Sequence, residues 1–279
     1  MRKIKSEIIT MAVEELCALA NYELPNDVLS ALKAAHKKEN VPAKNVLAQI
    51  IKNARIAKDE KIPLCQDTGT ANFFIDLGRG VQIEGLNLYD AVNKGVSLGY
   101  KNNYLRKSIL CDPLIRKNTG DNTPANVYVN FSDDDNIKIT FLPKGGGSEN
   151  ASALKMLNPS QSWEGIKNFI LQTVKEKGAN ACPPLIIGVA IGGDFSCAAK
   201  NAKAALLRKI GSKNKNPFYA KKEKELLKEI NKLAIGPMGI GGKTTALAVF
   251  IDAKPRHIAS LPAAVSIQCH SHRHKTIVL

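Results

Sequence analysis

The chain has 279 residues, of which 44% are hydrophobic and 23% charged, an ordinary balance for a globular protein with one substantial core or two modest ones. Its 40 lysines and arginines against 25 acidic residues give a formal net charge of +15, which suits nucleic acid, anionic membranes or small anionic substrates as partners. Most of this charge lies on lysines scattered along predicted helices, and aromatic residues make up only 5% of the chain. Because basic patches interleaved with aromatic residues are missing, we expect no nucleic-acid partner. Small organic anions remain candidate substrates.

Three helices are predicted at the N-terminus, over residues 3–21, 24–37 and 40–57, where apolar residues recur at helical spacing. Glu14 and Glu15 interrupt the apolar run of the first helix, which indicates an amphipathic helix rather than a signal peptide. The longest apolar stretch, PPLIIGVAIGG, is too short and too rich in glycine to span a bilayer. We therefore expect a cytoplasmic protein without a membrane partner, whose thiols stay reduced.

The middle of the chain alternates between strand and helix patterns. A strand is predicted over Ala71–Leu77, and GLNLYDAVNKGVSLGYKN has the pattern of a helix. In ANVYVNFSDDDNIKITFLP two alternating segments flank an acidic turn, which predicts a β-hairpin. The segment SWEGIKNFILQTVKEKG is predicted to form an amphipathic helix that Ser162 caps and Gly178 ends.

The last third adds a buried strand in CPPLIIGVAIGG, a helix over Ala198–Ile210, a Lys- and Glu-rich helix over about 217–234, and strands near 245–252 and 263–269. No internal repeat or long Ser, Gly or Pro linker divides the chain. We therefore predict one domain over residues 1–279 of the mixed α/β (α+β) class, with an N-terminal helical layer over about 1–60 and a mixed β-sheet core.

Four short segments place Gly or Pro next to polar or thiol side chains at the end of an apolar element: PLCQDTGT, PKGGGSEN, ACPPLIIGVAIGG and GPMGIGGKTT. Glycine at such places indicates a tight turn or a close approach of the backbone to something bound. The fourth segment superficially resembles a phosphate-binding loop, but Gly236 is followed by five residues before Gly242-Lys243, and the loop runs from a helix into a strand. Because a phosphate-binding loop needs four residues there and the opposite order of elements, we exclude a nucleotide site.

The six cysteines are spaced irregularly, unlike a disulfide framework. Iron–sulfur clusters are held by cysteine thiolates, and three distant cysteines can hold one that leaves an iron without a protein ligand. Cys65 and Cys182 lie in Pro-containing loops, and Cys269 lies in the polar stretch IQCHSHRH. Cys17 and Cys197 fall on predicted helices and have the pattern of structural residues, whereas Cys111 is ambiguous. His270, His272 and His274 alternate, so on a strand they would share one face as a second candidate metal site.

Several motifs together resemble the α subunit, or N-terminal domain, of the iron–sulfur class I fumarate hydratases and of the similar L(+)-tartrate dehydratases. The resemblance covers nearly the whole chain and is carried by PLCQDTGT, LRKSILCDPLIRKNTGDNTPA, PKGGGSEN, CPPLIIGVAIGG, GPMGIGGKTTALAV and HIASLPAAVSIQC. It implies a [4Fe–4S] cluster held by Cys65, Cys182 and Cys269 in loops at strand ends, with one iron open to the substrate. The implied reaction is the reversible hydration of fumarate to malate, with dehydration of L(+)-tartrate as the alternative.

The resemblance also implies roles for five further residues. Gln66 and Asp67 match a substrate-contacting pair, and Asp67 would take part in proton transfer at carbon. Arg106 would bind a substrate carboxylate, the backbone N–H of Gly146 would donate to the same substrate, and His257 would serve as an acid. Without the resemblance, Asp67 is equally a turn cap, Arg106 a surface residue and His257 an ordinary loop histidine.

The related enzymes need more than this region to complete their active site. In single-chain relatives a second domain supplies further substrate-binding residues and a catalytic hydroxyl. The resemblance therefore implies a separate β subunit and an α2β2 assembly. It also implies that GPMGIGG is a structural turn close to the cluster. A basic nucleic-acid-associated protein with a structural cluster is the remote alternative.

Overall fold

The computed structural model describes residues 1–279. Its α-helices are α1 (Ser6–Tyr22), α2 (Asn26–Lys38), α3 (Ala43–Glu60), α4 (Leu88–Asn102), α5 (Gly146–Asn150), α6 (Ser162–Lys177), α7 (Phe195–Ala205) and α8 (Pro217–Lys232). Its strands are β1 (Arg2–Lys5), β2 (Thr70–Gly78), β3 (Val81–Glu84), β4 (Asn126–Ser132), β5 (Ile137–Lys144), β6 (Ala153–Leu157), β7 (Leu185–Gly193), β8 (Ala246–Arg256), β9 (Leu261–Gln268) and β10 (Lys275–Val278). The predicted mixed helix-and-sheet class is therefore confirmed.

The chain forms two compact units, each built from separate stretches of sequence. The first unit contains Met1–Leu24, Ala54–Gly146 and Arg273–Leu279, and the second unit contains Pro25–Asn53 and Gly147–His272. The predicted N-terminal helices are present but divided, since α1 belongs to the first unit, α2 to the second, and α3 has residues in both. The single domain over 1–279 stays a prediction.

The first unit is built on a four-stranded sheet in the order β10-β5-β2-β4. Strand β2 runs parallel to β4 and antiparallel to β5. Helices α1 and α4 pack against each other, and α1 also contacts β5. The core between them is apolar and includes Phe73 and Phe141, whose rings stack with centroids 4.9 Å apart.

The predicted hairpin at residues 125–143 is wrong, although both of its strands exist. Strands β4 and β5 do not pair with each other, because β2 lies between them and pairs with both. The acidic turn therefore crosses the end of β2, where a Cβ on Gly78 would lie 2.5 Å from the carbonyl oxygen of Asp134. Alternating strands around a turn look the same in sequence whether they are adjacent or separated by a third strand.

The second unit is built on a sheet in the order β6-β9-β7-β8, with β7 parallel to β8 and antiparallel to β9. Alternate residues of β7 face opposite sides. Ile187 and Val189 pack in the cluster that contains α6 and α8 residues, whereas Ala190 packs with Ala198 and Ala202 of α7. A strand covered by helices on both faces reads as a continuous apolar run, which explains LIIGVAI.

Two further differences concern ends and edges. Ser162 does not cap α6: Asn158 and Gln161 form a capping box around the short 3₁₀ turn that precedes the helix, and Ser162 is the first helical residue, with φ of 51°. Strands β1, β3, β6 and β10 were not predicted, because they are four or five residues long and largely polar or half-exposed.

None of the helices is both long and apolar enough to cross a lipid bilayer.

Candidate active site

The loop that joins α3 to β2 carries three of the predicted site residues, and we call residues 61–69 the Cys65 loop. The Cys65 side chain is half-buried, and its Sγ accepts the backbone N–H of Asp67 at 3.4 Å. Gln66 is exposed. Backbone N–H groups that donate to sulfur are one means by which proteins tune thiolate-bound clusters, so this cysteine has the surroundings expected of a ligand.

Asp67 joins two of the glycine-containing motifs. Its Oδ1 accepts the backbone N–H of Gly69 at 3.0 Å, and its Oδ2 accepts the backbone N–H of Gly146 at 2.7 Å. A Cβ on Gly145 would lie 2.9 Å from the same Oδ2, so this approach requires glycine there. Asp67 is therefore a turn cap, and the N–H group that the resemblance assigns to the substrate is donated to Asp67 in this structure.

Arg106 lies beside the Cys65 loop. Its backbone carbonyl accepts the hydroxyl of Thr68 at 3.1 Å, while its side chain is exposed. The guanidinium forms no ion pair within the chain. An exposed, uncommitted guanidinium is suited to bind a substrate carboxylate through two parallel hydrogen bonds.

Three buried side chains that the sequence analysis did not select also contact the Cys65 loop. They donate hydrogen bonds to the backbone carbonyls of Asp67, Thr68 and Gly69, and they are Tyr100, Asn122 and Arg273. Asn122 lies within one of the motifs that carry the family resemblance, but nothing in the sequence marks Tyr100 or Arg273 as neighbours of the loop.

Cys182 and Cys269 meet at one end of the second unit's sheet. Cys182 ends the 3₁₀ turn before β7 and is exposed, and Cys269 directly follows β9. Because Ile186 of β7 pairs with Gln268 of β9, the two cysteines lie at the same sheet end. The carbonyl of Cys182 accepts the backbone N–H of His270 at 3.2 Å and lies 2.9 Å from its ring Nδ1.

The alternating histidines His270, His272 and His274 do not share one face of a strand. Residues 269–274 lie in a turn and coil rather than a strand, so the hypothesis of three aligned histidine ligands is wrong. His270 bonds to Cys182, and the buried His272 ring has Nε2 2.9 Å from the carbonyl oxygen of Leu206. These rings therefore serve as backbone anchors.

His257 lies at the opposite end of the same sheet. It follows β8 in an exposed loop, and its Nδ1 accepts the backbone N–H of Ala259 at 3.1 Å. Gly193 at the far end of β7 pairs with Arg256, so the length of β7 separates His257 from the two cysteines by roughly 25 Å at 3.3 Å per residue. The second unit brings Cys182 and Cys269 together but does not bring His257 to them.

The GPMGIGG loop packs beside Cys182, as the resemblance implies. The backbone N–H of Met238 donates to the carbonyl of Pro183 at 2.8 Å. The N–H groups of Lys243 and Thr244 donate to the buried carboxylate of Glu39 at 2.9 and 2.6 Å. A carboxylate of the protein thus occupies the place that a phosphate would take in a nucleotide-binding loop.

The remaining cysteines differ in their surroundings. Cys17 is fully buried on α1, and burial raises the pKa of its thiol far above its ordinary value, so it stays protonated. Cys197 is exposed near the start of α7, and Cys111 is also exposed. The structural role expected for Cys197 stays a prediction. No three His, Cys, Asp or Glu side chains form a group that could hold a single metal ion. Cysteine thiolates are the donor type that an iron–sulfur cluster takes. In the first unit Cys65 lies in the loop before β2, and in the second unit Cys182 and Cys269 lie at one end of the sheet.

Sequence comparison assigns the chain to a known class of enzymes. Residues 10–278 match the family model described as fumarate hydratase (Fumerase). The chain therefore belongs to the fumarate hydratase family, whose members are hydro-lyases, and the predicted family and enzyme class are confirmed.

Several similar curated proteins are named as α subunits. The chain is 44% identical over 272 residues to a Methanocaldococcus jannaschii protein provisionally named L(+)-tartrate dehydratase subunit alpha, covering 95% of each chain. It is 31% identical over 275 residues to the L(+)-tartrate dehydratase subunit alpha of Escherichia coli K12 and to that of Shigella boydii, covering 97% of this chain and 90% of theirs.

Proposed function

We propose that this chain is the α subunit of a two-subunit, [4Fe–4S]-dependent hydro-lyase that reversibly hydrates fumarate to malate. The single observation that carries the proposal is the Cys65 loop, where the Cys65 thiol accepts the backbone N–H of Asp67 and the Asp67 carboxylate accepts the backbone N–H of Gly146. The Thr68 hydroxyl of the same loop donates to the backbone carbonyl of Arg106, whose exposed guanidinium is suited to a carboxylate. Family membership supports the reaction class, and the names of the relatives support a β subunit.

The cluster would be held by Cys65, Cys182 and Cys269. When bound, it supplies a Lewis-acidic iron for a substrate oxygen. The reducing conditions that free thiols need support a cytoplasmic location.

The residues of the Cys65 loop and its neighbours would bind the substrate and move the proton. Arg106 binds one carboxylate of the diacid, and Gln66, which is exposed next to the cysteine, contacts the substrate from the same loop. Asp67 exchanges a proton with the substrate carbon. Because Oδ2 of Asp67 accepts the N–H of Gly146, protonation of that oxygen would release this N–H to donate to the substrate.

His257 would act on the active site of a second copy of the chain. Its place at the opposite end of the β7–β9 sheet from Cys182 and Cys269 supports this arrangement. In an α2β2 assembly, each α subunit can place its His257 against the neighbouring α subunit. Its Nδ1 accepts an N–H bond, so the neutral ring carries its proton on Nε2 and can donate it.

L(+)-tartrate is the second candidate substrate, and the names of the relatives favour it. Both substrates are four-carbon diacids that gain or lose water, so the Cys65 loop would serve either one. Residues of the β subunit would then distinguish between them.

The test is anaerobic co-expression with the gene adjacent to its own, followed by parallel assays of fumarate, malate and L(+)-tartrate. We expect a brown complex that interconverts fumarate and malate. A Cys182→Ser variant should lose the visible absorbance and the activity, whereas Cys197→Ser, an exposed cysteine with no assigned role, should keep both. A wild-type complex that reconstitutes no iron would overturn the proposal, and turnover of tartrate alone would select the second candidate.

A further inference from the structure

Three consecutive backbone carbonyls of the Cys65 loop are each bound by a buried side chain. The guanidinium of Arg273 donates to the carbonyl of Asp67 at 2.9 Å. The Tyr100 hydroxyl shares its one hydrogen between the carbonyls of Thr68 at 2.9 Å and Gly69 at 3.0 Å. The Asn122 amide donates to the carbonyl of Gly69 at 3.2 Å. The backbone that carries the Asp67 side chain is thus fixed at each following peptide.

These three side chains come from distant parts of the first unit. Tyr100 lies near the end of α4, Asn122 lies in the loop before β4, and Arg273 lies just before β10. Tyr100 and Asn122 are completely buried and Arg273 is 4% exposed. Burying polar groups costs free energy unless they are hydrogen-bonded, so the loop carbonyls are necessary partners for them.

The same network extends to the residues around Arg106. The Oδ1 of Asn122 accepts the backbone N–H of Ser108 at 2.7 Å, and the Thr68 hydroxyl donates to the carbonyl of Arg106 at 3.1 Å. The side-chain amide of Asn122 therefore connects two segments. Its NH₂ group donates to Gly69, near Asp67, and its oxygen accepts from Ser108, near Arg106. The spacing between the two candidate substrate-binding residues depends on this bridge.

Arg273 also bonds to a residue outside the Cys65 loop. Its Nε and one Nη both donate to Oδ1 of Asn21 on α1, each at 3.2 Å, and the Asn21 amide donates to the carbonyl of Cys17. The guanidinium thus ties the Cys65 loop to the body of α1. A planar fork with several donors can do this, whereas a lysine ammonium cannot reproduce the geometry.

We propose that Tyr100, Asn122 and Arg273 are positioning residues that hold Asp67 and Arg106 at the separation required by the diacid substrate. This inference rests on the proposed function. A displacement of about 1 Å in a reacting group can lower an enzymatic rate about 100-fold, and each of the three side chains removes one way for the loop to shift. Burial also raises the pKa of Tyr100 well above its ordinary value, which keeps its hydroxyl a donor throughout the assay range.

The first test compares Tyr100→Phe with Tyr22→Phe in the cluster-loaded complex. Both changes remove one hydroxyl in the first unit, and Tyr22 donates only to Asn103, outside the Cys65 loop. We expect Tyr100→Phe to lower kcat about 10- to 100-fold with a smaller change in KM and unchanged cluster absorbance. Tyr22→Phe should stay within about twofold of the wild type. Equal kcat for both variants and the wild type would overturn the inference.

A second test reads the loop without using activity. Hydrogen exchange of the same complex should speed up over residues 65–70 and 106–108 in Tyr100→Phe but not in Tyr22→Phe. In Arg273→Met the 65–70 segment should exchange faster than in Arg273→Lys, because the lysine ammonium can still donate to one of the partners of Arg273 although it cannot reach both as the planar fork does. Unchanged exchange in all variants would overturn the inference. A wild-type complex without hydro-lyase activity would instead count against the proposed function, and the exchange result would still decide whether these side chains fix the loop.

Discussion

Asp67 offers the sharpest test at the scale of single residues. Its two carboxylate oxygens accept the N–H groups of Gly69 and Gly146, and the proposed reaction uses the same carboxylate for proton transfer. We expect Asp67→Asn to lower kcat by about 10²- to 10⁴-fold, the usual contribution of a positioned acid or base. The amide can replace only one of the two acceptors, because its NH₂ group donates. Steady-state kinetics on the reconstituted complex measure the loss.

Asp134→Asn is the matched control for this change. Asp134 also caps a turn in the first unit, where its Oδ1 accepts the N–H of Asn136 at 3.2 Å. The two variants should lose similar thermal stability, while only Asp67→Asn loses activity. If Asp67→Asn kept kcat within about threefold of the wild type, Asp67 would be a turn cap and no more.

The Glu23–Lys275 pair should make stability depend on pH. The ammonium of Lys275 donates to Glu23 at 2.6 Å, and this hydrogen bond, opposed by partial burial, lowers the pKa of Glu23 below its ordinary 4.5. Because the pKa is lower in the folded state, the pair stabilises the fold above pH 4.5, and this contribution is lost as the pH falls through the folded pKa. Lys275→Met should lower the free energy of unfolding by about 0.2–1 kcal/mol at pH 7. The loss should be smaller at a pH near the lowered pKa of Glu23 in the folded protein.

Denaturant titrations at pH 7 and at a pH near the lowered pKa of Glu23 measure how much stability Lys275→Met loses at each pH. Lys52→Met is the control, since Lys52 is exposed on α3 and forms no ion pair. Its effect on stability should not change with pH. An equal loss for Lys275→Met at both pH values would show that lost packing of the lysine stem, rather than the ion pair, explains the effect.

Single residues of the site could be selected from the sequence, but their partners could not. Cys65 stands in a Pro-containing loop that a local pattern finds, whereas Asp67 and Arg106 were selected through the family resemblance. Tyr100 and Arg273 lie 33 and 206 residues from Asp67 in the sequence, and each has an ordinary local context. Only the folded chain shows that both donate to the Cys65 loop.

At the scale of elements, the order β5-β2-β4 makes Gly78 sensitive to substitution. The turn from β4 to β5 crosses the end of β2, and a Cβ on Gly78 would lie 2.5 Å from the Asp134 carbonyl oxygen. Backbone cannot move away as a flexible side chain would, so Gly78→Ala should cost about 1–3 kcal/mol, as overpacked sites do. Denaturant unfolding measures the loss.

Gly80→Ala provides the comparison in the same turn. A Cβ at Gly80 would meet Asp135 Cβ at 3.1 Å and the Asp134 carbonyl at 3.3 Å, distances that a small shift relieves. We expect a clearly smaller loss than for Gly78→Ala. Equal losses would mean that the crossing of β2 by this turn does not determine the cost.

Elements were predictable where their pattern came from burial on defined faces. Strand β7 carries the continuous apolar run of a strand covered on both sides, and α8 carries the amphipathic pattern of a helix covered on one. The pairing partners of β4 and β5 were not predictable, since β2 lies about fifty residues earlier in the chain. Short polar strands such as β1 gain their structure from pairing, here with β3, rather than from their own pattern.

At the scale of the whole molecule, the division into two units also lay outside what a pattern along the chain can show. The first unit combines the N-terminus, a central stretch and the C-terminal residues Arg273–Leu279. No linker composition marks the points where the chain passes between units. Contacts between residues far apart in sequence define these points, so the pattern along the chain predicts one uninterrupted domain.

The net charge of +15 has a consequence for the rate of substrate capture. A dianionic substrate is attracted by this charge over distances comparable to the Debye length, about 30 Å at 0.01 M salt and about 3 Å at 1 M. We expect kcat/KM for the diacid to fall about tenfold or more between about 10 mM and 500 mM salt, as electrostatic steering predicts. Stopped-flow or initial-rate assays at low substrate concentration measure this ratio.

Two controls separate steering from a general effect of salt on the enzyme. The kcat at saturating substrate should stay nearly constant, because capture no longer limits the rate there. A monoester of the diacid, which carries one negative charge, should show a weaker salt dependence than the diacid, since the attraction scales with the product of the charges. A diacid kcat/KM that is the same at both salt concentrations would show that the surplus of lysine and arginine does not guide the substrate.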